Sequence, residues 1–172
     1  MTLDEVLLRK KAAILKRWFN LIAQTYPDGG TSLLKNKDRF ANPVGYIVSS
    51  SIAILYEELL QGNLNSEKAS TSLDNIIKVR AVQDFSPSQA MTFVFLLKKA
   101  IRAELEGKIG EVGGFEELLK LESRIDEMAL HAFDIYMDCR EKLYKVKVDE
   151  MKAGMDNTFR LLERQSRKVA DV

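Results

Sequence analysis

The last third of the chain contains the feature that most constrains its fold. From residue 115 to residue 165 there is no proline, and Gly154 is the single glycine. Helices of compact domains are typically about 11 or 12 residues long. The run therefore predicts one unusually long C-terminal helix, which is more than a small bundle needs to close its own core.

Two apolar stripes follow one another along this segment. The first has the spacing of a heptad seam, Lys142 breaks its register, and a second, shifted stripe then begins. We expect the first stripe to close a helical bundle and the second to contact a partner protein or a second copy of the chain. The first stripe consists of Leu118, Leu121, Ile125, Met128, Ala132, Ile135 and Cys139. The second, called the C-terminal stripe below, consists of Tyr144, Val148, Met151, Met155, Phe159 and Leu162.

The rest of the chain predicts four further helices and no strand. Apolar residues recur at helical spacing near residues 3–24, from Pro43 to about Gly62, from Ser66 onward, and from Pro87 to about Glu106. Asparagine or serine precedes three of these segments as a cap, and proline opens two of them. The fold class is therefore all-α, a bundle of about five helices. We divide it into a domain at 1–141 and a helical extension at 142–172.

Composition narrows the classes of partner. There are 26 basic and 25 acidic residues, so no global field draws the chain to nucleic acid or to anionic lipid. Cys139 is the single cysteine, which excludes an internal disulfide. No run approaches the roughly 18 apolar residues of a membrane span, and the start lacks a secretory pattern. We expect a cytoplasmic protein that neither inserts into membranes nor binds nucleic acid.

Catalytic motifs are missing from the sequence. Its one histidine, His131, shares a helical face with Glu127, Asp134 and Asp138, a spacing that is geometrically compatible with a metal. Metals usually take ligands from several elements, and acidic residues are expected on the wet flank of such a helix. We interpret this face as solvated. We assign no catalytic residue, cofactor or metal, and we expect no enzyme.

A charged pair occupies an unexpected position on the third predicted helix. At about 100° per residue, Arg80 and Asp84 lie in the middle of the apolar stripe that contains Leu73. Burying one charge alone is costly, so the pair needs partners. One interpretation is an internal ion pair that sets helix register. The other is a ligand site in which Arg80 binds an acidic group, with Tyr46, Gln83 or Asp84 lining it.

Three segments carry a resemblance to a known family: Phe40–Tyr46, Leu73–Ala90 and Phe93–Arg102. The most specific part reads Arg-Ala-Val-Gln-Asp-Phe-Ser-Pro-Ser-Gln and begins at Arg80. Over roughly residues 5–145 the chain resembles the N-terminal domain of RsbRD-type co-antagonists of the RsbT kinase. That module is similar in placement to sensor domains that precede a STAS or other output domain. Stand-alone members resemble proteins encoded beside the sulfite-reduction membrane complex of sulfate-reducing bacteria.

The residues and the resemblance together favour a regulatory or sensory domain that acts by protein contact. We expect signal transduction in stress or sulfur-redox regulation, with a dimer formed through the C-terminal helix. Two alternatives stay open at this point. The bundle would hold a small-molecule ligand near Tyr46 and Arg80, or the chain would be an accessory or scaffold protein of a redox complex.

Overall fold

A computed structural model of the chain describes residues 2–34, 38–83, 85–107 and 114–170. Over these ranges the chain forms seven helices and no strand, so the all-α prediction is confirmed. The helices are α1 (Leu3–Arg9), α2 (Lys11–Ala23), α3 (Thr31–Leu34), α4 (Pro43–Gln61), α5 (Glu67–Val82), α6 (Pro87–Leu105) and α7 (Gly114–Ala170).

The chain divides into two compact units, which we call the N-terminal unit (Met1–Tyr136) and the C-terminal unit (Met137–Val172). The helix α7 contributes residues to both. The division falls five residues before the boundary at 141 expected from the change of stripe. The roles assigned to 1–141 and 142–172 stay predictions.

The caps of the central helices follow from local sequence. The side chain of Asn42 accepts a hydrogen bond from the Gly45 amide at 2.9 Å and so starts α4. A Cβ on Gly45 would overlap the side-chain amide of Asn42, so a larger residue there would displace the capping side chain. Ser66 caps α5 in the same way. Ser86 caps α6, as predicted, and forms a reciprocal capping box with Gln89.

The first helical segment is interrupted where the periodicity predicted one helix over 3–24. Lys10 leaves helical geometry at φ −91° and ψ 4°, and it separates α1 from α2. The break carries no proline or glycine, so the local pattern does not reveal it. At this turn the Lys10 ammonium reaches the carbonyl of Glu104 on α6 and lies 3.5 Å from its carboxylate. Arg17 on α2 also pairs with that carboxylate, at 2.8 Å.

The core of the N-terminal unit is built from α2, α4, α5, α6 and the first part of α7. α4 packs against α5, and α2 packs against α6. Trp18 is fully buried, and its indole nitrogen donates a hydrogen bond to the Phe93 carbonyl at 2.7 Å. Tyr56 is also fully buried and donates to the Leu7 carbonyl at 3.0 Å. Phe95 is half exposed, so α6 is not covered on every side.

Within the N-terminal unit, α7 buries most of its first stripe. Five of the predicted residues are covered, namely Leu118, Leu121, Ile125, Met128 and Ala132. The next buried position is Tyr136, while Ile135 is half-buried, because the stripe of a straight helix drifts relative to an exact heptad. Glu122 is only 7% exposed, and both of its oxygens accept hydrogen bonds from Arg102 on α6 at 2.6 Å.

Candidate functional site

The C-terminal stripe is exposed along its whole length. Its six side chains keep between 47% and 70% of their surface accessible to solvent. Among the residues described in the C-terminal unit, none is buried. At about 100° per residue the six side chains fall within an arc of roughly 80° on α7. The stripe is therefore a continuous apolar face that this unit does not cover by itself.

Polar interactions around the stripe are local. Arg140 donates a hydrogen bond to the Tyr144 hydroxyl at 2.8 Å, and its guanidinium lies 5.1 Å from the centre of that ring. Lys142 pairs with Asp138 one turn earlier, at 2.6 Å. Pairs of this kind contribute only a few tenths of a kcal/mol, roughly 0.2–0.5, to a helix. They leave the apolar face itself open.

Arg80 forms the second candidate site. It lies on α5, and its side chain is completely buried. Its Nη2 donates hydrogen bonds to the Thr25 hydroxyl at 3.0 Å and to the Gln89 carbonyl at 2.8 Å. The Phe85 ring centre lies 4.4 Å from the guanidinium carbon, and the Tyr26 ring centre lies 5.3 Å from it. One guanidinium thus joins the end of α2, α5 and the first turn of α6.

Several polar atoms of this cluster lack ordinary hydrogen bonds. Within the described part of the chain, Nε and Nη1 of Arg80 and the Tyr26 hydroxyl make no hydrogen bond of ordinary geometry, although Tyr26 and Arg80 lie close enough for each to shift the pKa of the other. Burial lowers the pKa of Arg80, and the neighbouring Tyr26 partly opposes that shift. Burial raises the pKa of Tyr26, which the positive charge of Arg80 partly offsets. The cluster therefore carries one buried positive charge beside a neutral phenol.

The residues predicted to line a ligand site do not all meet. Gln83 lies directly after α5, three residues from Arg80 in the chain, whereas Tyr46 is exposed on α4, where its ring centre lies 5.5 Å from the guanidinium of Arg39. Asp84 lies outside the described residues, so its predicted pairing with Arg80 stays a prediction.

The residues that the sequence analysis missed are Thr25, Tyr26, Phe85 and Gln89. No local pattern links the end of α2 to α5. Tyr26 carries only the signal of a helix end, because Pro27 follows it.

His131 has a structural contact. Its Nε2 lies 3.1 Å from the Ser70 hydroxyl of α5. In the ranges that the structure describes, no three histidine, cysteine, aspartate or glutamate side chains are grouped closely enough to hold a metal ion. Over the same ranges no helix is both long and apolar enough to cross a membrane.

Comparison with known protein families identifies a family for this chain. The family described as RsbT co-antagonist protein rsbRD N-terminal domain matches residues 12–151. The chain belongs to this family. The matched region includes the Arg80 cluster and the first half of the C-terminal stripe, up to Met151. Membership suggests a regulatory domain of stress signalling and confirms the family resemblance drawn from the sequence.

A protein of Archaeoglobus fulgidus, described as uncharacterized, is 26% identical over 102 residues. The match covers 59% of this chain and 64% of that relative's length. No solved structure matches the chain.

Proposed function

We propose that this chain is a non-enzymatic regulatory domain that acts through protein contact, and that the C-terminal stripe pairs with the same stripe of a second copy. The observation that supports the proposal is the exposed apolar face on a unit without buried side chains. Family membership supports the regulatory role. The N-terminal unit supplies the folded body, and α7 supplies the contact.

Energetics favour covering the stripe. Helices in proteins owe most of their stability to the packing of an amphipathic face against another element. Fully burying one large apolar side chain contributes about 1.5–3 kcal/mol. Six such side chains at helical spacing can therefore offset the cost of association, which is estimated at about 4–15 kcal/mol.

The spacing of the stripe suits an antiparallel pair of copies. Its positions are nearly symmetric about Ala153, since Tyr144 and Leu162 are each nine residues from it and Met151 and Met155 are each two residues from it. In an antiparallel pair, each of these residues would lie opposite its counterpart on the second copy. A self-complementary patch of this kind is what a two-fold dimer requires.

Charge also favours the antiparallel orientation. Residues 142–153 contain four lysines and two acidic residues, whereas residues 154–165 contain two arginines and two acidic residues. A parallel pair would bring the two lysine-rich halves together, and like charges facing each other destabilise helix pairs. An antiparallel pair sets each lysine-rich half beside a neutral half.

A dimer formed through α7 would give the bundle a way to report its state. Regulatory domains transmit a signal by shifting the population of two arrangements of one element. A helix that belongs to the bundle core and continues into a dimer contact is such an element. We propose that a change in the N-terminal unit alters the strength or geometry of the contact.

Two valines provide a matched test. Val148 lies on the C-terminal stripe and Val146 lies on the opposite side of α7, and they are 47% and 55% exposed. We expect the wild-type chain to sediment as a dimer and Val148→Glu to weaken dimerisation at least 100-fold, because a buried carboxylate would lack a partner. Val146→Glu should leave the dimer intact.

Analytical ultracentrifugation from about 1 to 100 µM measures both effects. A monomeric wild-type chain at the highest concentration would refute the dimer. Equal weakening by the two substitutions would show that the stripe is not the contact.

A further inference from the structure

We infer that the Arg80 cluster is a binding site for a small organic carboxylate, which accepts a hydrogen bond from the unpaired Nε of Arg80. This inference is independent of the dimer. It rests on the burial of the side chain, on donors without acceptors, and on the balance of charge around them.

The donors of Arg80 are only partly matched. A guanidinium carries five N–H donors and no acceptor. Nη2 uses its hydrogens on Thr25 and Gln89. Nε and Nη1 together carry three further hydrogens that make no hydrogen bond of ordinary geometry within the described ranges. Leaving donors of a buried charged group unpaired is among the costlier arrangements in a protein interior, so an acceptor from outside those residues is expected.

The charge of Arg80 is also uncompensated over the described part of the chain. No carboxylate there lies within ion-pair distance of its guanidinium. Phe85 and Tyr26 face the guanidinium with their rings, and such contacts favour a cation without neutralising it. A monovalent anion would restore neutrality. A divalent anion such as sulfate would leave a buried negative charge, so the balance favours a carboxylate.

Neighbouring groups add to the site. The Tyr26 hydroxyl is buried and makes no hydrogen bond of ordinary geometry, and burial keeps it protonated because its pKa is raised. It can therefore donate a further hydrogen bond to a carboxylate oxygen. The two rings stand edge-to-face with centres 5.2 Å apart, so apolar surface lies beside the guanidinium.

Phe85 lies next to the cap of α6 and is only half-buried, although its ring lies against the buried guanidinium. Rotation of this one side chain would uncover the cluster without unfolding a helix. Because the guanidinium already joins α2, α5 and α6, an occupied site would tie the ends of three helices together.

The test uses the full-length chain with formate and acetate as probes, at constant ionic strength set with sodium chloride. We expect a saturable rise in Tm with either probe, of about 5–10 °C at 100 times the dissociation constant, following the linkage between binding and stability. Sodium sulfate should produce a smaller rise. The absence of any saturable rise with both carboxylates would overturn the site.

Two substitutions on α5 separate the site from a general charge effect. Arg80→Met should abolish the response to acetate, whereas Lys78→Met, which removes an exposed positive charge two residues away, should keep it. Equal responses in both variants would overturn the proposal. If Arg80→Met does not fold, the site is tested by NMR, through the Nε–H resonance of Arg80 in the wild-type chain. It should shift and reach a plateau with formate, and a resonance that does not move refutes the site.

Asp84→Asn distinguishes an external ligand from an internal counter-ion. If the site takes an external carboxylate, this variant should respond to acetate at least as strongly as the wild-type chain. If Asp84 supplies the negative charge, the wild-type chain should be insensitive to acetate. The variant should then be less stable and be rescued by acetate. That pattern would overturn the inference.

Discussion

The two halves of α7 make an instructive comparison. Both carry apolar residues at helical spacing, and both are flanked by charged side chains. In the N-terminal unit the stripe is buried against the bundle from Leu118 to Tyr136. In the C-terminal unit, none of the described side chains is buried.

Periodicity alone indicates that one face of a helix is apolar. It does not indicate whether that face is buried by the same chain or by another molecule. The position of the other elements supplies the missing information. Helices α1 to α6 all belong to the N-terminal unit, and that unit has the buried core. We therefore propose that another molecule covers the apolar face of the C-terminal unit, which is the basis of the proposed dimer.

Replacing one aromatic residue in each unit should give the largest contrast. Trp18→Ala removes a fully buried side chain and its hydrogen bond to Phe93, so we expect a loss of about 3–5 kcal/mol in the free energy of unfolding. Phe159→Ala, at an exposed position, should change that free energy by less than about 0.5 kcal/mol when the chain is monomeric.

Urea denaturation at low protein concentration measures both substitutions of this pair. A large loss for Phe159→Ala in the monomer would break the comparison. It would mean that the stripe is covered within its own chain.

Much of the fold follows from local signals that the sequence displays. The caps at Asn42, Ser66 and Ser86 are recognisable because the capping side chain and its backbone partner are within three residues of each other. The break at Lys10 has no such signal, since its polar contacts are with Glu104, 94 residues away. Tertiary contacts of that range cannot be read from a window of one helix.

The two candidate sites also differ in how much of each could be predicted from the sequence. The C-terminal stripe depends on spacing within one helix, so its six residues could be named from the sequence. The burial of Arg80 could be inferred from its position on the apolar side of α5. Its partners Thr25 and Gln89 come from two other elements, and no periodicity connects them. The sequence indicates that such a residue needs partners without indicating which ones.

Ion pairs should respond differently in the two units. Glu104 is largely buried between Arg17 and Lys10, and the hydrogen bond from Arg17 is the main cause that lowers its pKa below 4.5. The ionised form is therefore favoured in the folded state. Its contribution is complete above about pH 4.5 and is lost as the pH falls through the lower folded-state pKa. Glu104→Gln should cost about 1 kcal/mol at pH 7 and less at pH 3.

The control for this ion pair lies in the C-terminal unit, on α7. Asp138 and Lys142 are both exposed, so Asp138→Asn should cost less than about 0.5 kcal/mol at pH 7. Urea denaturation at pH 7 and pH 3 measures each difference. A cost for Glu104→Gln that is the same at both pH values would contradict the assignment to ionisation.

The last contrast, between two glycines, has opposite signs in the two units. Gly154 lies inside α7 with ordinary helical geometry, and an added Cβ would meet nothing within 4 Å. Gly154→Ala should therefore stabilise the helix by about 0.8–1 kcal/mol, the difference in helix propensity. Gly62 also has open space around it, but it ends α4 in the left-handed region at φ 73°. Gly62→Ala should cost about 1–2 kcal/mol, because a Cβ is strained there.

Thermal unfolding monitored by circular dichroism measures both glycine substitutions in monomeric protein. Since neither added methyl group meets a neighbour, the opposite signs would arise from backbone conformation alone. The same pair can then be compared under dimerising conditions. Gly154 lies to one side of the C-terminal stripe, so an antiparallel dimer should tolerate Gly154→Ala. A loss of dimer stability specific to this substitution would mean that the second copy's backbone passes beside Gly154, and the proposed face would have to be rotated towards it.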